Sequence, residues 1–336
     1  MNKFDEKYDI RFARYDEIED VMIYINQHWK KGHILAINRE FFEYEHVIDG
    51  HVTYLIARDR ETNCIEGIIG YLPASNDLSK LDIWGVVWKV NDNAMPMLGI
   101  ELKKRLKEYT NARTELGVGA NPKTSVPLLK MLLRYKVGKM KHFYMLADKE
   151  EYKIASIKEK KIAVDICKDN VDVVQMNSIG ELKEKFDFTI CANDVPYKNA
   201  WYVERRYFNH PIYKYEIYGL KDKEKIKALL VIRCQECNGA KVMRIVDFIG
   251  EQKLFRGICA FCQTLLQEAE YIDMYCYGFE NQYILDAGFI EKDDDDVNII
   301  PNYFAPYECS NIDIYVDSSS DGCLFFKADG DQDRPN

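Results

Sequence analysis

The order of predicted strands and helices in the first half of the chain recurs in the second half, and this repetition most constrains the fold. Each half gives a strand, two helical stretches and two neighbouring strands, and then alternates strand, helix, strand, helix, strand. The repeat is longer than solenoid units of about 20 to 50 residues. Because 336 residues exceed what one core usually holds, we predict two α/β domains with mixed sheets, at 1–150 and 162–336.

Hydrophobic periodicity defines the elements of the first half. The predicted strands are Ile10–Ala13, Val52–Ala57, Ile65–Tyr71, Leu81–Val90, Glu115–Val118 and Phe143–Leu146. The predicted helices are Ile18–Trp29, Asn38–His46, Leu98–Tyr109 and Thr124–Leu133. A charged joint, Lys149–Lys161, follows, and its most basic stretch, Lys158–Lys161, is typical of a solvated linker.

The second half repeats these elements in the same order. Its predicted strands are Val171–Met176, Tyr215–Leu220, Ile226–Arg233, Val242–Ile249, Tyr271–Tyr277 and one through Ile299 and Ile300. Its predicted helices are Ile179–Phe186, Ala200–Phe208, one carrying Phe255 to Ala269, and a short one ending at Ala287. A correspondence of this length indicates a duplicated domain.

Composition excludes several classes of partner. A net charge of -9 without a local Lys/Arg stripe argues against nucleic acid. No apolar run approaches the roughly 20 residues of a membrane span, and no secretory signal is evident, so we expect a cytoplasmic protein. Its ten cysteines are then expected to be reduced thiols.

One segment carries a resemblance to a known family. The run Met97-Leu98-Gly99-Ile100 stands between a predicted strand and a predicted helix, and this arrangement resembles the GNAT family of N-acetyltransferases. The resemblance implies that acetyl-CoA is the acyl donor, with its diphosphate on backbone N–H groups at the positive end of the helix. Glycine would let that backbone approach the ligand.

The same resemblance assigns further donor contacts. It implies that Trp88, Lys89 and Val90 lie where the fourth strand splays from the fifth and binds the pantetheine arm as an added strand would. It also implies that Asn121 contacts the donor near its thiol. The tyrosine that protonates the leaving thiolate in many members has no counterpart, because Leu129 or a neighbour stands there.

The second half has bulky residues around a single glycine at the equivalent loop, Gln252–Gly257. We therefore expect no second donor site there. The resemblance instead gives the second domain the task of completing the substrate site and stabilising the first domain.

Several segments are similar to a GNAT subgroup encoded with bacterial surface-polysaccharide genes, such as those for O-antigen. They are His28–Leu35, Arg206–Pro211, Ile300–Phe304 and Phe326–Asn336. This similarity implies acetylation of a nucleotide-linked amino sugar bound between the domains. It also argues that the acidic tail, which composition alone would class as frayed, is ordered.

Acetyl transfer needs a group that takes the amine proton near neutral pH. His33 is the leading candidate for this base, with His28 and Asp82 as the others. Each is also explained by a structural role.

Candidate substrate contacts are aromatic, basic or amide side chains. They are Trp29, Lys30, Arg206, His210, Asn302 and Tyr303. The apolar spacing around Trp29 also favours a core position, and salt bridges are an equal explanation for Arg206.

We expect no metal. The pairs Cys234/Cys237 and Cys259/Cys262 have a spacing typical of zinc knuckles, but a strand of roughly ten residues, at about 3.3 Å each, would separate them. The run Asp293–Asp296 is more typical of a solvated loop.

Two alternatives remain beside the amino-sugar acetyltransferase. One is an acyltransferase for another small amine, such as an amino acid or a polyamine. The other is a catalytically silent GNAT-like binding module, since the loop before the helix is only partly typical.

Overall fold

The computed structural model describes residues 2–162 and 169–335. Two compact units result: Met1–Val137 with Asp317–Asp321 and Arg334–Asn336, and Gly138–Val316 with Gly322–Asp333. Residues 163–168, at the start of the predicted second domain, and Asn336, at the end of the predicted tail, lie outside the described residues. None of the described helices is long and apolar enough to cross a lipid bilayer.

The first part of the chain forms short helices around one long sheet. Its helices are α1 (Lys3–Lys7), α2 (Ile18–Tyr24), α3 (Ile34–Ile37), α4 (Arg39–His46), α5 (Leu98–Thr110) and α6 (Ser125–Leu128). Its strands are β1 (Tyr8–Phe12), β2 (Val47–Ile48), β3 (His51–Val52), β4 (Tyr54–Asp59), β5 (Ile65–Pro73), β6 (Asp82–Val90), β7 (Thr114–Val118) and β8 (Lys136–Lys139). π-Helical turns at Ile25–Trp29 and Leu129–Leu133 extend α2 and α6.

The remainder repeats this pattern. Its helices are α7 (Ile179–Lys185), α8 (Ala200–Val203), α9 (Cys259–Leu265) and α10 (Asn281–Asp286). Its strands are β9 (Lys141–Leu146), β10 (Val173–Met176), β11 (Glu216–Asp222), β12 (Lys225–Cys237), β13 (Ala240–Gly250), β14 (Tyr271–Tyr277), β15 (Ile290–Lys292), β16 (Tyr303–Phe304), β17 (Tyr307–Glu308), β18 (Tyr315–Ser318) and β19 (Phe325–Phe326).

The sheet of the first unit has the strand order β1-β4-β5-β6-β7-β18-β8. Neighbours from β1 to β6 are antiparallel, whereas β6 and β7 are parallel. Helix α5 covers one face because Leu98, Leu102 and Leu106 recur every four residues and pack on strand residues that include Leu55 and Ile83. Each such buried side chain stabilises the fold by about 2 kcal/mol.

The sheet of the second unit has the order β10-β11-β12-β13-β14-β9-β15. Again the first four strands are antiparallel neighbours, and β13 and β14 are parallel. Phe255 and Ile258 lie in the core below this sheet, together with Cys262 of α9. The duplicated element order therefore gives two sheets of the same design.

The ends of the two sheets correct the sequence prediction. The strand expected to end the first domain, Phe143–Leu146, belongs to β9, which pairs with β14 and β15 in the second unit. Strand β18, from near the end of the chain, occupies the matching place between β7 and β8. Residues 138–150 thus lie in the second unit rather than the first.

One smaller expectation also fails. Ile299 forms only an isolated bridge with Ser156, and the strand of that region is β15. In the charged joint, Lys158 and Lys160 are exposed, whereas Ile154 is buried and the Glu270 carboxylate accepts hydrogen bonds from the amides of Lys153 and Ile154. The charged composition of this segment does not show that the Glu270 carboxylate binds its backbone.

Candidate acyl-donor cleft

Strands β6 and β7 separate before either ends. They pair only from Asp82 and Thr114 to Trp84 and Leu116, although β6 continues to Val90. Within the described residues, no strand pairs with that edge of β6 beyond Trp84. We call the gap between Gly85–Val90 and the end of β7 the first cleft. Its unpaired peptide groups can bind an extended molecule as an added strand.

A bulge in β6 faces this cleft. The β5–β6 register shifts between Ile68 and Gly70, and Val87 has a φ of 47°. A left-handed conformation is rare for a β-branched residue and is typical of functional sites when it occurs. The bulge turns the backbone of β6 just where its partner strand departs.

The start of α5 lies directly after β6 and carries unpaired donors. Met97 caps the helix with a φ of 74°, and the amides of Leu98 and Glu101 donate to the carbonyls of Met95 and Met97. In the described part of the chain, the amides of Gly99 and Ile100 have no hydrogen-bond acceptor. Two free N–H groups at the positive end of a 13-residue helix favour an anion such as a diphosphate.

Two buried tyrosines hold the loop before α5. The Tyr8 hydroxyl accepts a hydrogen bond from the Met95 amide at 2.9 Å, and the Tyr24 hydroxyl donates to Oδ1 of Asn91 at 2.8 Å. Burial raises the pKa of both phenols, so they stay neutral. The loop is therefore fixed by neutral donors and acceptors.

Gly99 has a packing role that the sequence did not reveal. A Cβ on this residue would lie 3.2 Å from Nε1 of Trp88, whose indole donates to the Gly99 carbonyl oxygen at 3.0 Å. The glycine thus makes room for Trp88 as well as for any ligand.

The other predicted donor contacts surround the cleft. Met97 is 47% exposed, whereas Leu98 is buried in the core and does not obstruct the helix start. Lys89 lies 3.7 Å from the exposed Asp92. The exposed Asn121 follows β7, and its Oδ1 accepts the amides of Lys123 and Thr124 ahead of α6.

A buried polar cluster lies where β6 and β7 part; we name Lys103, Glu115, Tyr135 and Asp317 the apex cluster. Nζ of Lys103 donates to Oε1 of Glu115 at 2.7 Å, and the Tyr135 hydroxyl donates to Oε2 at 2.6 Å. Oδ1 of Asp317 is 3.9 Å from Nζ of Lys103 and is a buried acceptor without a hydrogen bond in the described residues. The side chains are accommodated because two neighbouring positions are Gly85 and Gly117.

The members of the apex cluster shift one another's pKa values. Burial lowers the pKa of Lys103, but the charges of Glu115 and Asp317 outweigh it and raise that pKa overall. Burial raises the pKa of Tyr135, and the Glu115 charge raises it further. Burial and Glu115 also raise the pKa of Asp317, against the opposing effect of Lys103. Sequence reasoning missed this cluster because Asp317 is some 200 residues from its partners and no local pattern marks it.

The predicted acceptor residues near the first helices lie on the π-helical turn that contacts β6. His28, Trp29 and Lys30 are exposed. The expectation that Trp29 is in the core is wrong: it is 39% exposed, because the wider π turn changes the helical phase that its apolar spacing assumed. His33 is buried, and its Nδ1 accepts the Leu35 amide at 3.2 Å as the cap of α3.

Asp82, the third candidate base, is fully buried at the start of β6. Its two carboxylate oxygens accept hydrogen bonds from the Arg113 guanidinium at 2.9 and 2.5 Å. A carboxylate whose two oxygens both bind an arginine has a structural role, since it has no open face for a substrate.

The second unit contains an equivalent divergence. Strand β13 pairs with β14 only from Met243–Ile272 to Ile245–Met274, and both then continue. We call this gap the second cleft. Strand β19 pairs with β14 inside it, and the Ala328 amide donates to the Val246 carbonyl oxygen of β13 at 2.8 Å. The C-terminal segment of the chain therefore fills the second cleft from both sides.

The acidic tail is ordered as far as Pro335, so its description as frayed is wrong. Asp329 and Asp333 are buried. Nζ of Lys198 lies 2.7 Å from Oδ1 of Asp329, and NH2 of Arg233 lies 2.6 Å from Oδ1 of Asp333. Buried cations thus compensate the tail's carboxylates, which composition could not show.

Of the predicted substrate contacts in the second unit, Arg206 binds this tail. Arg206 is buried and donates to the Asp333 carbonyl oxygen at 2.6 Å, and Nδ1 of His210 accepts the amides of Ile212 and Tyr213. Asn302 is buried and accepts hydrogen bonds from Arg244. Only Tyr303 of the four is exposed, at 39%.

Cys234, Cys237 and Cys262 are free thiols, and burial raises the pKa of Cys234 and Cys262. Cys259 is disulfide-bonded, so the expectation that every cysteine is reduced is wrong for this residue. The described residues contain no group of three or more His, Cys, Asp or Glu side chains arranged to hold a metal ion. Among the aspartates of 293–296, Asp296 is buried and accepts a hydrogen bond from the Tyr144 hydroxyl.

No protein-family model matches this chain, and no curated protein matches it in sequence. Several solved structures are similar to it in fold. It is similar to a conserved protein of unknown function from Enterococcus faecalis V583, a probable N-acyltransferase, with a TM-score of 0.54 and 10% identity over 93% of this chain and 71% of that one. It is also similar to a GCN5-related N-acetyltransferase from Anabaena variabilis ATCC 29413, with a TM-score of 0.55 and 8% identity over 92% and 72%.

A third similar structure is the GCN5-related glucosamine N-acetyltransferase region of a fungal multi-domain GH3 β-N-acetylglucosaminidase. Its TM-score is 0.50, with 10% identity over 93% of this chain and 38% of that one. At such low identity these likenesses show the fold alone. The chain is a tandem pair of GNAT-fold units. The duplicated element order predicted the two units, and the resemblance implied their fold.

Proposed function

We propose that this protein is an acetyl-CoA-dependent N-acetyltransferase whose acyl donor binds in the first unit. One observation carries the proposal: the same strand divergence occurs twice, yet the first cleft is open and the second is filled by the chain itself. The open cleft also leads to a helix start with two unpaired amides, at Gly99 and Ile100. An extended arm ending in a diphosphate complements both features.

In this proposal the donor is held mainly by backbone. The diphosphate accepts hydrogen bonds from the amides of Gly99 and Ile100, with Met97 and Leu98 shaping the loop. The pantetheine arm pairs with the open edge of β6 at Trp88–Val90, and Asn121 contacts the donor from the far side of the cleft. Backbone contacts explain why Pro96 and Met97 can replace the small residues that such loops usually carry.

We propose that the acceptor is the amine of a nucleotide-linked amino sugar used in surface-polysaccharide synthesis in the cytoplasm. Exposed Trp29 and Lys30 beside β6 suit a sugar face and a phosphate.

The geometry favours His28 over His33 as the base. Nδ1 of His33 accepts the Leu35 amide, so the proton of the neutral ring sits on Nε2, and no basic nitrogen is left for a substrate. His28 is exposed, and its ring packs on Tyr24 with centroids 4.7 Å apart. We therefore propose that His28 accepts the proton as the amine attacks the thioester directly.

The test is calorimetric titration of the full chain with acetyl-CoA, followed by a thiol-release screen. The screen compares nucleotide-linked amino sugars with amino acids and polyamines. Micromolar binding and acceptor-dependent thiol release with a sugar support the proposal. Release with another amine would correct the acceptor class, binding without turnover would indicate a silent module, and absence of binding would refute the enzyme.

A further inference from the structure

The apex cluster contains one more acidic group than its cation can balance. The side chains of Lys103, Glu115 and Asp317 are at most 4% exposed. Both oxygens of Glu115 accept short hydrogen bonds, from Lys103 and Tyr135, so Glu115 is the ionised partner of the lysine. A second buried carboxylate would be an uncompensated charge, which is strongly unfavourable. Asp317 is therefore the member that carries a proton.

The position of Asp317 is as informative as its charge. A Cβ on Gly117, the first residue of β7 after its pairing with β6 ends, would overlap the Asp317 carboxyl group. That carboxyl group thus lies at the closed end of the first cleft. Its Oδ1 has no hydrogen-bond partner in the described residues although the side chain is buried.

The length of the cleft relates this end to the proposed donor. From Val90, beside the helix start, to Gly85, at the closed end, β6 advances five residues, or about 16 Å at about 3.3 Å each. An extended pantetheine arm is of similar length. A donor whose diphosphate binds at Gly99 and Ile100 would place its sulfur near the apex cluster. This step depends on the proposed function.

We propose that Asp317 is the general acid that protonates the departing thiolate of coenzyme A. The amine nitrogen bonds to the thioester carbonyl carbon, the C–S bond breaks with its electron pair on sulfur, and the Asp317 proton passes to that sulfur. The amine proton goes to the base, and solvent returns a proton to Asp317. The products are an amide and the free thiol.

The electrostatics of the cluster suit this role. Burial and the neighbouring Glu115 charge raise the pKa of Asp317, with Lys103 in partial opposition, and a raised pKa favours the protonated form that a general acid needs. The charged and titratable groups that face it are Lys103 from α5, Glu115 from β7 and Tyr135. The raised pKa values of Lys103 and Tyr135 keep both of these protonated over the working range.

The experiment compares Asp317→Asn with Asp321→Asn. Asp321 lies four residues away, is 82% exposed and is 3.3 Å from Lys136, so its substitution removes a charge from the same segment without touching the cluster. For Asp317→Asn we expect kcat to fall by about 100-fold, loss of the alkaline decline of kcat, and an unchanged Kd for acetyl-CoA. Asp321→Asn should match the wild type in all three. A kcat for Asp317→Asn within about threefold of the wild type, or an alkaline decline that persists in it, would overturn the assignment.

Thermal unfolding of each variant verifies that it folds. If Asp317→Asn does not fold, the pH dependence of kcat in the wild type tests the inference instead. The inference requires kcat to decline below about pH 9, because an unperturbed lysine or tyrosine is still protonated there. A profile without that decline overturns it. Wild-type protein that binds no acetyl-CoA overturns the proposed function, whereas binding and turnover without the Asp317 effects overturn this inference alone.

Discussion

Met97 is the residue through which the proposed diphosphate site can be tested with least disturbance. It is exposed and caps α5, so a carboxylate there is compatible with the helix dipole. We expect Met97→Glu to weaken acetyl-CoA binding by at least about tenfold, because two like charges some 5 Å apart repel by roughly 3 kcal/mol near a surface before salt screening. The Kd from calorimetry at low salt measures the effect.

Met97→Gln is the matched control for this change, since it has the same size and no charge. It should bind acetyl-CoA as the wild type does. Equal binding by the Glu and Gln variants would place the diphosphate elsewhere.

Lys327 gives a prediction for the dependence of stability on pH. Its side chain is buried, it has no ion pair in the described residues, and Nζ lies 5.7 Å from the centroid of the Tyr275 ring. Burial, with the charge of Arg244, lowers its pKa from 10.5 to about 7. Between these values the unfolded chain binds more protons, so this group makes the fold more stable as pH rises, by up to about 1.4 kcal/mol per pH unit.

Urea unfolding of the wild type and Lys327→Met at pH 7 and pH 9 measures this contribution. The wild type should gain stability relative to the variant on going to the higher pH. Parallel stability curves for the two proteins would show that the lysine titrates normally.

At the scale of elements, the turn after β14 packs closely against the segment before β19, which fills the second cleft. Gly278 has a φ of 79°, and a Cβ there would overlap the Cys323 carbonyl oxygen just before β19. Gly322 has a similar φ of 71° but open space around it. We expect Gly322→Ala to lower the free energy of unfolding by about 1 kcal/mol and Gly278→Ala by about 2 kcal/mol more, from overlap.

Urea unfolding of both variants measures the difference, and acetyl-CoA titration shows whether the donor site is affected. Because the proposed donor site is in the first unit, both variants should keep the wild-type Kd. Similar destabilisation by both substitutions would mean that the segment is not packed as the structure describes.

For the whole molecule, two units of one fold predict a single donor site. The second cleft is occupied by β19 and by the Ala328 amide, so no edge of β13 and β14 is left there for a pantetheine arm. Calorimetry should give one acetyl-CoA per chain. Two sites, or one site whose affinity changes with Gly278→Ala, would contradict this assignment.

The elements that frame the cleft were predictable because they depend on local hydrophobic periods. The family resemblance then assigned Trp88–Val90 and Met97–Ile100 to the donor, and the structure places these segments at the end of β6 and the start of α5. The apex cluster was not predictable, because Asp317 meets Lys103 and Glu115 only through tertiary folding. Nor was the cap that occupies His33, since a hydrogen bond from the Leu35 amide has no sequence signature.

The sequence by itself determined the order of the elements and its repetition in two units, because periods of two and 3.6 residues define which face of a strand or helix is buried. The GNAT fold of these units was implied by the family resemblance. Only the tertiary structure decided which strands pair at the ends of the sheets, so that β9 and β18 each lie in the sheet opposite to their half of the sequence. It also decided that the C-terminal segment fills one cleft and leaves the other open. The hydrophobic pattern of a strand shows that it needs neighbouring strands. It does not show which strands these are, because backbone hydrogen bonds are the same for every residue type.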